Sequence, residues 1–367
     1  MNPFKYGCVV SGENFCPRPE LARQLQEFAS AGQNLVIQGT RRIGKTSLIR
    51  NAIGGMRRMR LIYIDLYYIK TMADFCSRVM KGVAKASDDL PFLKKAIQFA
   101  FRLRPVIAVD PRDGSTTISV DSKAAGEPDS LGAVMSTLEK LATDGRTCVV
   151  FDEFQDVLKL DNAMGLLAEM RSVIQFQENV PYFFTGSVRN EMMSIFDDMD
   201  SPFYKSALTF AVDAIDPVTF TRFIADRFAK GNRRISNAVI ARIIEFADGV
   251  SGDVQELCES LWETTAPKSE ITTDSFAAAF DLIFSRELGG YEAMIEKLTP
   301  AQSVVLRAIA ADASAQVYSN AFTSSIGMPT SSIRRVIGRL VSDRLIFLRK
   351  GSYRFSNPFF REWLVRQ

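Results

Sequence analysis

The chain has 367 residues, 47% hydrophobic and 24% charged, which is ordinary for folded globular proteins and excludes disordered and fibrous classes. No window supplies the roughly 18 uninterrupted apolar residues of a membrane span; even Ala96 to Val109 is broken by Gln98, Arg102 and Arg104. Histidine is absent, which excludes Ser-His-Asp and Cys-His catalysis and any histidine-ligated metal, and the net charge of +3 hides a C-terminal excess of eleven Lys and Arg over four Asp and Glu in residues 296–367.

This length exceeds one ordinary core and predicts three domains. The opening Met1-Asn2-Pro3-Phe4-Lys5-Tyr6-Gly7 lacks the basic and apolar regions of a secretory signal, so a cytoplasmic protein with no membrane partner is expected. Cys8, Cys16, Cys76, Cys148 and Cys258 are scattered without a C-x-x-C pair and read as reduced, with Cys8 and Cys16 packed as small residues.

In chain order, Leu21, Leu25 and Phe28 recur at helical spacing after Pro17 and Pro19, and Asn34 to Gln38 reads as a short buried strand. A helix is predicted from Lys45 to Ile53, stopped by Gly54-Gly55, then a strand from Arg60 to Leu66. Phe75 to Ala84 reads as helix. Pro105–Val109 and Thr116–Val120 flank the turn-rich Asp110-Pro111-Arg112-Asp113-Gly114 and predict an inserted hairpin. Thr147–Asp152, Pro181–Thr185 and Ala207–Val212 bring the β-rich apolar runs to five, alternating with helical patterns, as in a parallel sheet covered on both faces.

From Pro217 to about Gly290 the pattern is entirely helical, with Phe220, Phe223, Ile224 and Phe228, then Ile240, Ile243 and Ile244, then Leu257, Leu261 and Trp262. After Leu298-Thr299-Pro300 come three helices, to about Ala311, Asn320–Ile326 and Ser331–Ser342. An apparent hairpin of Leu345–Leu348 and Ser352–Phe355 ends the series, so three helices and a β-wing predict a winged helix.

Gly39-Thr40-Arg41-Arg42-Ile43-Gly44-Lys45-Thr46 matches G-x-x-x-x-G-K-[ST] between a strand and a helix. Its glycines let successive N–H groups face phosphate oxygens, and the helix beginning at Lys45 adds its positive end. Lys45 is expected on the β and γ phosphates and the Thr46 hydroxyl on Mg²⁺. The acid pair ending a neighbouring apolar strand assigns Asp152 to Mg²⁺ and Glu153 to activation of the attacking water, which favours hydrolysis over transfer. No N-K-x-D element occurs, so ATP is preferred to GTP. Thr185 and Ser187, in the turn ending the next strand, can hold that water or sense the γ-phosphate.

With these pieces the chain resembles the archaeal-type ATPases of the AAA+ and STAND division of P-loop proteins. Asn14-Phe15-Cys16-Pro17-Arg18-Pro19-Glu20-Leu21 looks like their Phe-x-Gly-Arg-x-x-Glu-Leu opening, Gly39 to Ser47 their phosphate loop, Asp152-Glu153-Phe154-Gln155 their Walker B ending and Thr185-Gly186-Ser187 their sensor turn. The resemblance implies an α/β fold with a five-stranded parallel P-loop (AAA+-like) core, a helical lid subdomain and a C-terminal winged-helix domain. Their expected bounds are 1–212, with the hairpin insertion at about 105–121, then 213–295 and 296–367. It also implies that Phe15, Cys16 and Arg18 line the base pocket. Pro17 stands in place of a glycine, Lys205 in place of an arginine, and Gln255 where the lid arginine would meet nucleotide. Either hydrolysis is slow, or a cation such as Arg189 or Lys205 enters from a neighbouring subunit of a homo-oligomer.

Arg334, Arg335 and Arg339 on the third helix and Arg349, Lys350 and Arg354 on the wing have the charge and placement to meet double-stranded DNA. The expected function is an ATP-driven switch or assembly ATPase acting on DNA or a DNA-bound partner. The alternative is a nucleotide-sensing switch with little turnover that recruits a protein effector.

Overall fold

The computed structural model describes residues 2–57, 59–86, 105–109, 116–120, 130–143, 147–177, 180–186, 189–312, 316–349 and 351–367. They form two units, one of Gly7–Ile215 and one of Met1–Tyr6 with Asp216–Gln367.

In the first unit, α1 (Pro19–Ser30) begins on Pro19, whose fixed φ suits a first helical turn. It leads to β1 (Leu35–Gln38), then α2 (Lys45–Gly54), β2 (Arg60–Asp65) and α3 (Met72–Lys85). α3 starts at a capping box in which the Thr71 hydroxyl accepts from Asp74 N–H and the Asp74 carboxylate accepts from Thr71 N–H. β3 (Pro105–Val109) and β4 (Thr116–Val120) pair antiparallel as the expected hairpin; its turn lies outside the described residues. α4 (Ser130–Thr143), β5 (Thr147–Asp152), α5 (Ala163–Ile174), β6 (Tyr182–Thr185), α6 (Arg189–Phe196) and β7 (Leu208–Ala211) complete the unit.

Five of these strands form one sheet in the order β2-β5-β6-β1-β7, parallel throughout. Successive residues point to opposite faces: Leu35 and Ile37 enter a core with α1 and α2, while Val36 enters a core with α3, α4 and α5. In β5, Cys148 and Val150 join the first core and Val149 and Phe151 the second. Stacked Phe151, Tyr182 and Phe184 rings fill the latter, with centroids 5.9–6.3 Å apart.

In the second unit, α7 (Pro217–Lys230) is capped by Asp216, whose carboxylate accepts from Thr219 N–H at 2.8 Å. Then come β8 (Arg234–Ile235), α8 (Asn237–Phe246), α9 (Ser251–Thr264), β9 (Glu270–Ile271), the 22-residue α10 (Ser275–Glu296), α11 (Pro300–Ala311), α12 (Asn320–Ile326) and α13 (Thr330–Ser342). The wing is β10 (Ile346–Arg349) with β11 (Ser352–Phe355). Phe4 belongs to this unit because its ring lies 4.6 Å from Phe228 and 6.2 Å from Trp262, buried between them.

Three sequence expectations are corrected. The stretch after Pro217 is not entirely helical, since β8 and β9 pair in parallel over two residues each. The wing does not end the chain's structure: α14 (Pro358–Arg366) follows, capped by Asn357, with Phe360 and Trp363 against Tyr291 at 5.3 and 5.5 Å. Cys8 is exposed rather than packed, and none of the five cysteines is in a disulfide. Among the described residues no helix is long and apolar enough to cross a membrane.

Candidate nucleotide-binding site

The loop between β1 and α2 is shaped by two glycines. Gly44 has φ +92°, a left-handed conformation that a side chain resists, and it turns the chain into α2. At Gly39 an added Cβ would stand 2.7 Å from the Val212 carbonyl, so the end of β7 presses on the start of the loop. Arg42 also has positive φ, while Thr40 and Arg41 are exposed.

Arg18 underpins the loop. Its buried guanidinium donates to the Ile43 carbonyl at 2.6 Å and the Asp213 carbonyl at 3.0 Å, and burial lowers its pKa from the ordinary arginine value. Phe15 packs on the α1–α2 side of the sheet and Cys16 is buried. The Ser47 hydroxyl accepts from Val10 N–H, and Asn51 donates to the Val10 carbonyl, tying the segment before α1 to α2.

Lys45 is buried, and its ammonium donates to the Gly39 carbonyl at 2.8 Å and the Thr40 carbonyl at 3.3 Å. Burial draws its pKa below the ordinary value, opposed by the charges of Glu153 and Asp152. The Thr46 hydroxyl donates to Asp152 Oδ2 at 3.0 Å. Asp152 reaches this place although β5 is not adjacent to β1; β6 lies between them, and α2 carries Thr46 across. Burial, and then the neighbouring Glu153 charge, push the Asp152 carboxyl above its ordinary value.

Sequence reasoning missed Tyr63. From β2 its hydroxyl donates to Asp152 Oδ2 and stands 3.4 Å from Thr46 Oγ1, while the Arg50 guanidinium lies 4.4 Å from its ring centre. Motif spacing could not reveal it, because the contact needs β2 beside β5, in the register Tyr63↔Val150. Gln155 has a larger part than expected. Its buried side chain donates to Glu153 Oε2 at 2.6 Å and leaves no room for a Cβ on Gly186, while Glu153 has φ +51°. Thr185 Oγ1, fully buried at the end of β6, has no hydrogen-bond partner among the described residues.

Thr46, Asp152, Glu153, Lys45 and Thr185 thus cluster at the C-terminal ends of β1, β5 and β6. Ser187 and Lys350 lie outside the described residues, and Arg189 begins α6. Lys205 is exposed with φ +53°, its ammonium 5.2 Å from the Tyr204 ring. In the second unit, Gln255 is buried on α9 with no partner for Oε1 among the described residues. Arg334, Arg335, Arg339 and Arg354 are exposed, with Arg339 paired to Asp343 at 3.3 Å, but Arg349 is engaged by Asp248.

Residues 289–366 match the family model described as a probable winged helix domain. A comparison with curated proteins returns no match. Among solved structures, the chain is similar to a Walker-type ATPase of Pyrococcus abyssi, with 21% identity, 99% of each chain covered and a TM-score of 0.68. It is also similar to the Aeropyrum pernix ORC2 protein in its ADPNP and ADP complexes (13% identity, 99% of this chain and 96% of that one, TM-score 0.54). A third is the Aeropyrum pernix ORC1 protein, solved in complex with DNA (15% identity, 97% and 94%, TM-score 0.50). The fold is that of the archaeal Walker-type ATPases: a five-stranded parallel P-loop core with a C-terminal winged helix.

Proposed function

We propose that the chain binds ATP with Mg²⁺ on the loop Gly39–Thr46 and hydrolyses it, as a cytoplasmic molecular switch or assembly ATPase acting on DNA or a DNA-bound partner. The observation that carries this reading is the buried Lys45 ammonium. Among the described residues its hydrogen bonds go to two loop carbonyls, with Thr46 and Asp152 in contact beside it. A buried cation whose burial is only partly offset by the Glu153 and Asp152 charges fits an anionic ligand, because burial disfavours its charge until one arrives.

Thr46 and Asp152 would hold Mg²⁺, one through a hydroxyl and one through a carboxylate, and the ion when bound neutralises phosphate charge. Lys45 contacts the β and γ phosphates as a point charge, and Glu153 takes a proton from the attacking water. Thr185, whose buried hydroxyl has no hydrogen-bond partner among the described residues, orients that water together with Ser187. Phe15 and Cys16 face the base, while Arg18 fixes the loop from behind. The missing cation comes from a neighbouring subunit through Arg189 or Lys205. The DNA part is supported by the C-terminal charge excess, the exposed arginines of α13 and the fold shared with a protein solved on DNA.

A specific contact favours a second reading, a nucleotide-sensing switch with little turnover that recruits a protein effector: Gln155 already occupies Glu153. Phosphate release with and without duplex DNA decides between them. Under the ATPase reading Lys45→Ala loses about 10- to 100-fold in ATP affinity, as for a charged hydrogen bond. Glu153→Gln keeps ATP but turns over about 10²–10⁴-fold more slowly. Tight ATP binding by wild type with no phosphate release, DNA present or absent, rejects hydrolysis and leaves the sensor.

A further inference from the structure

A carboxylate oxygen accepts through two lone-pair directions. At Asp152 Oδ2 both are in use, one by the Thr46 hydroxyl at 3.0 Å and one by the Tyr63 hydroxyl; Oδ1 accepts from Glu153 N–H at 3.0 Å. The Thr46 bond is compatible with a cation, since that hydroxyl can donate its proton to Asp152 while its oxygen faces a metal. The Tyr63 bond is different. It fills the second accepting direction of Oδ2, so a water carried on a bound magnesium ion would be left the remaining direction of Oδ1 or would have to displace Tyr63.

Tyr63 is also not free to drift. Its backbone is fixed in β2 by pairing with β5, its carbonyl lies 2.7 Å from where a Cβ on Gly82 of α3 would stand, and the Arg50 guanidinium covers its ring at 4.4 Å. The hydroxyl can leave Asp152 only by rotation about the side-chain torsions, against that guanidinium.

We propose that Tyr63 is a positioning residue of the nucleotide site, whose hydroxyl competes with metal-bound water for Asp152 and so sets how strongly magnesium adds to nucleotide affinity. In the absence of metal it keeps Asp152 satisfied and oriented; when magnesium arrives with nucleotide, this bond is exchanged. The inference rests on the nucleotide reading above.

The test is calorimetric titration of ADP into wild type and Tyr63→Phe, once with excess Mg²⁺ and once with EDTA, taking the ratio of the two affinities as the readout. Phenylalanine keeps the ring under Arg50 and removes only the competing donor. The ratio should rise about tenfold, equivalent to about 1.4 kcal/mol. Arg50→Met, which frees the ring while keeping the hydroxyl, should move the ratio the same way by a smaller factor, and it serves if the first variant fails to fold. A ratio unchanged or lowered in the folded variants overturns the proposal while leaving nucleotide binding intact. Absence of ADP binding by wild type in both buffers removes the nucleotide reading itself, and this inference with it.

Discussion

Asp152 is buried at a cost to the folded protein. Its carboxyl is pushed above the ordinary 3.8 by burial and by Glu153, so between 3.8 and the raised value the folded state holds a proton that the unfolded chain gives up. Stability therefore falls as pH rises from 3.8 through the raised folded value, and the penalty is fully present above it. Asp152→Asn keeps an acceptor for Thr46 and Tyr63 and removes the charge. It should raise the melting temperature of the ligand-free protein at pH 8, about 2–4 °C for each kcal/mol recovered, and the gain should vanish as pH falls below 3.8. An equal or lower melting temperature at pH 8 contradicts this account. Gly39 has the opposite sensitivity: alanine there meets a backbone carbonyl at 2.7 Å, so Gly39→Ala should lower the melting temperature and nucleotide affinity together. The glycines were readable from the motif because their role is conformational and local. Tyr63 was not, because its reach to Asp152 is a product of strand order.

At the scale of elements, α3 crosses β2 so closely that a Cβ on Gly82 would stand 2.7 Å from the Tyr63 carbonyl and 2.8 Å from Ile64 Cγ1. Gly82→Ala gains helix propensity but forces α3 away from the sheet. A net loss of about 1–3 kcal/mol in denaturant unfolding is expected, as for overpacked sites; a gain would show that the helix can shift freely. By contrast, Thr71→Ala removes the cap alone and should cost about 1 kcal/mol. The five parallel strands were legible from their apolar runs, since strands buried on both faces need no alternation. α14 was overlooked although its signals were present, Asn357 at the cap, Pro358 at the first turn and Phe359, Phe360 and Trp363 on one side. β8 and β9 left no trace because two residues carry no periodicity.

At the scale of the molecule, charge is concentrated where the winged-helix match lies. If that face meets DNA, affinity falls steeply with salt, and Arg335→Ala reduces the slope of log K against log salt by about 1. Arg349→Ala should leave that slope nearly unchanged, because Arg349 is already engaged by Asp248. A salt-independent interaction would exclude a phosphate-reading role and turn attention to a protein effector.

The chain passes between the two units twice, after Tyr6 and after Ile215, so the P-loop unit is a single uninterrupted segment and its companion is not. During synthesis this sets an order. Phe4 emerges roughly 220 residues before Phe228, and at about 5–20 residues per second it waits some 10–45 s for the surface that buries it. The P-loop unit can complete its sheet in that interval, whereas the second unit closes around its earliest residues only after its own helices have been made.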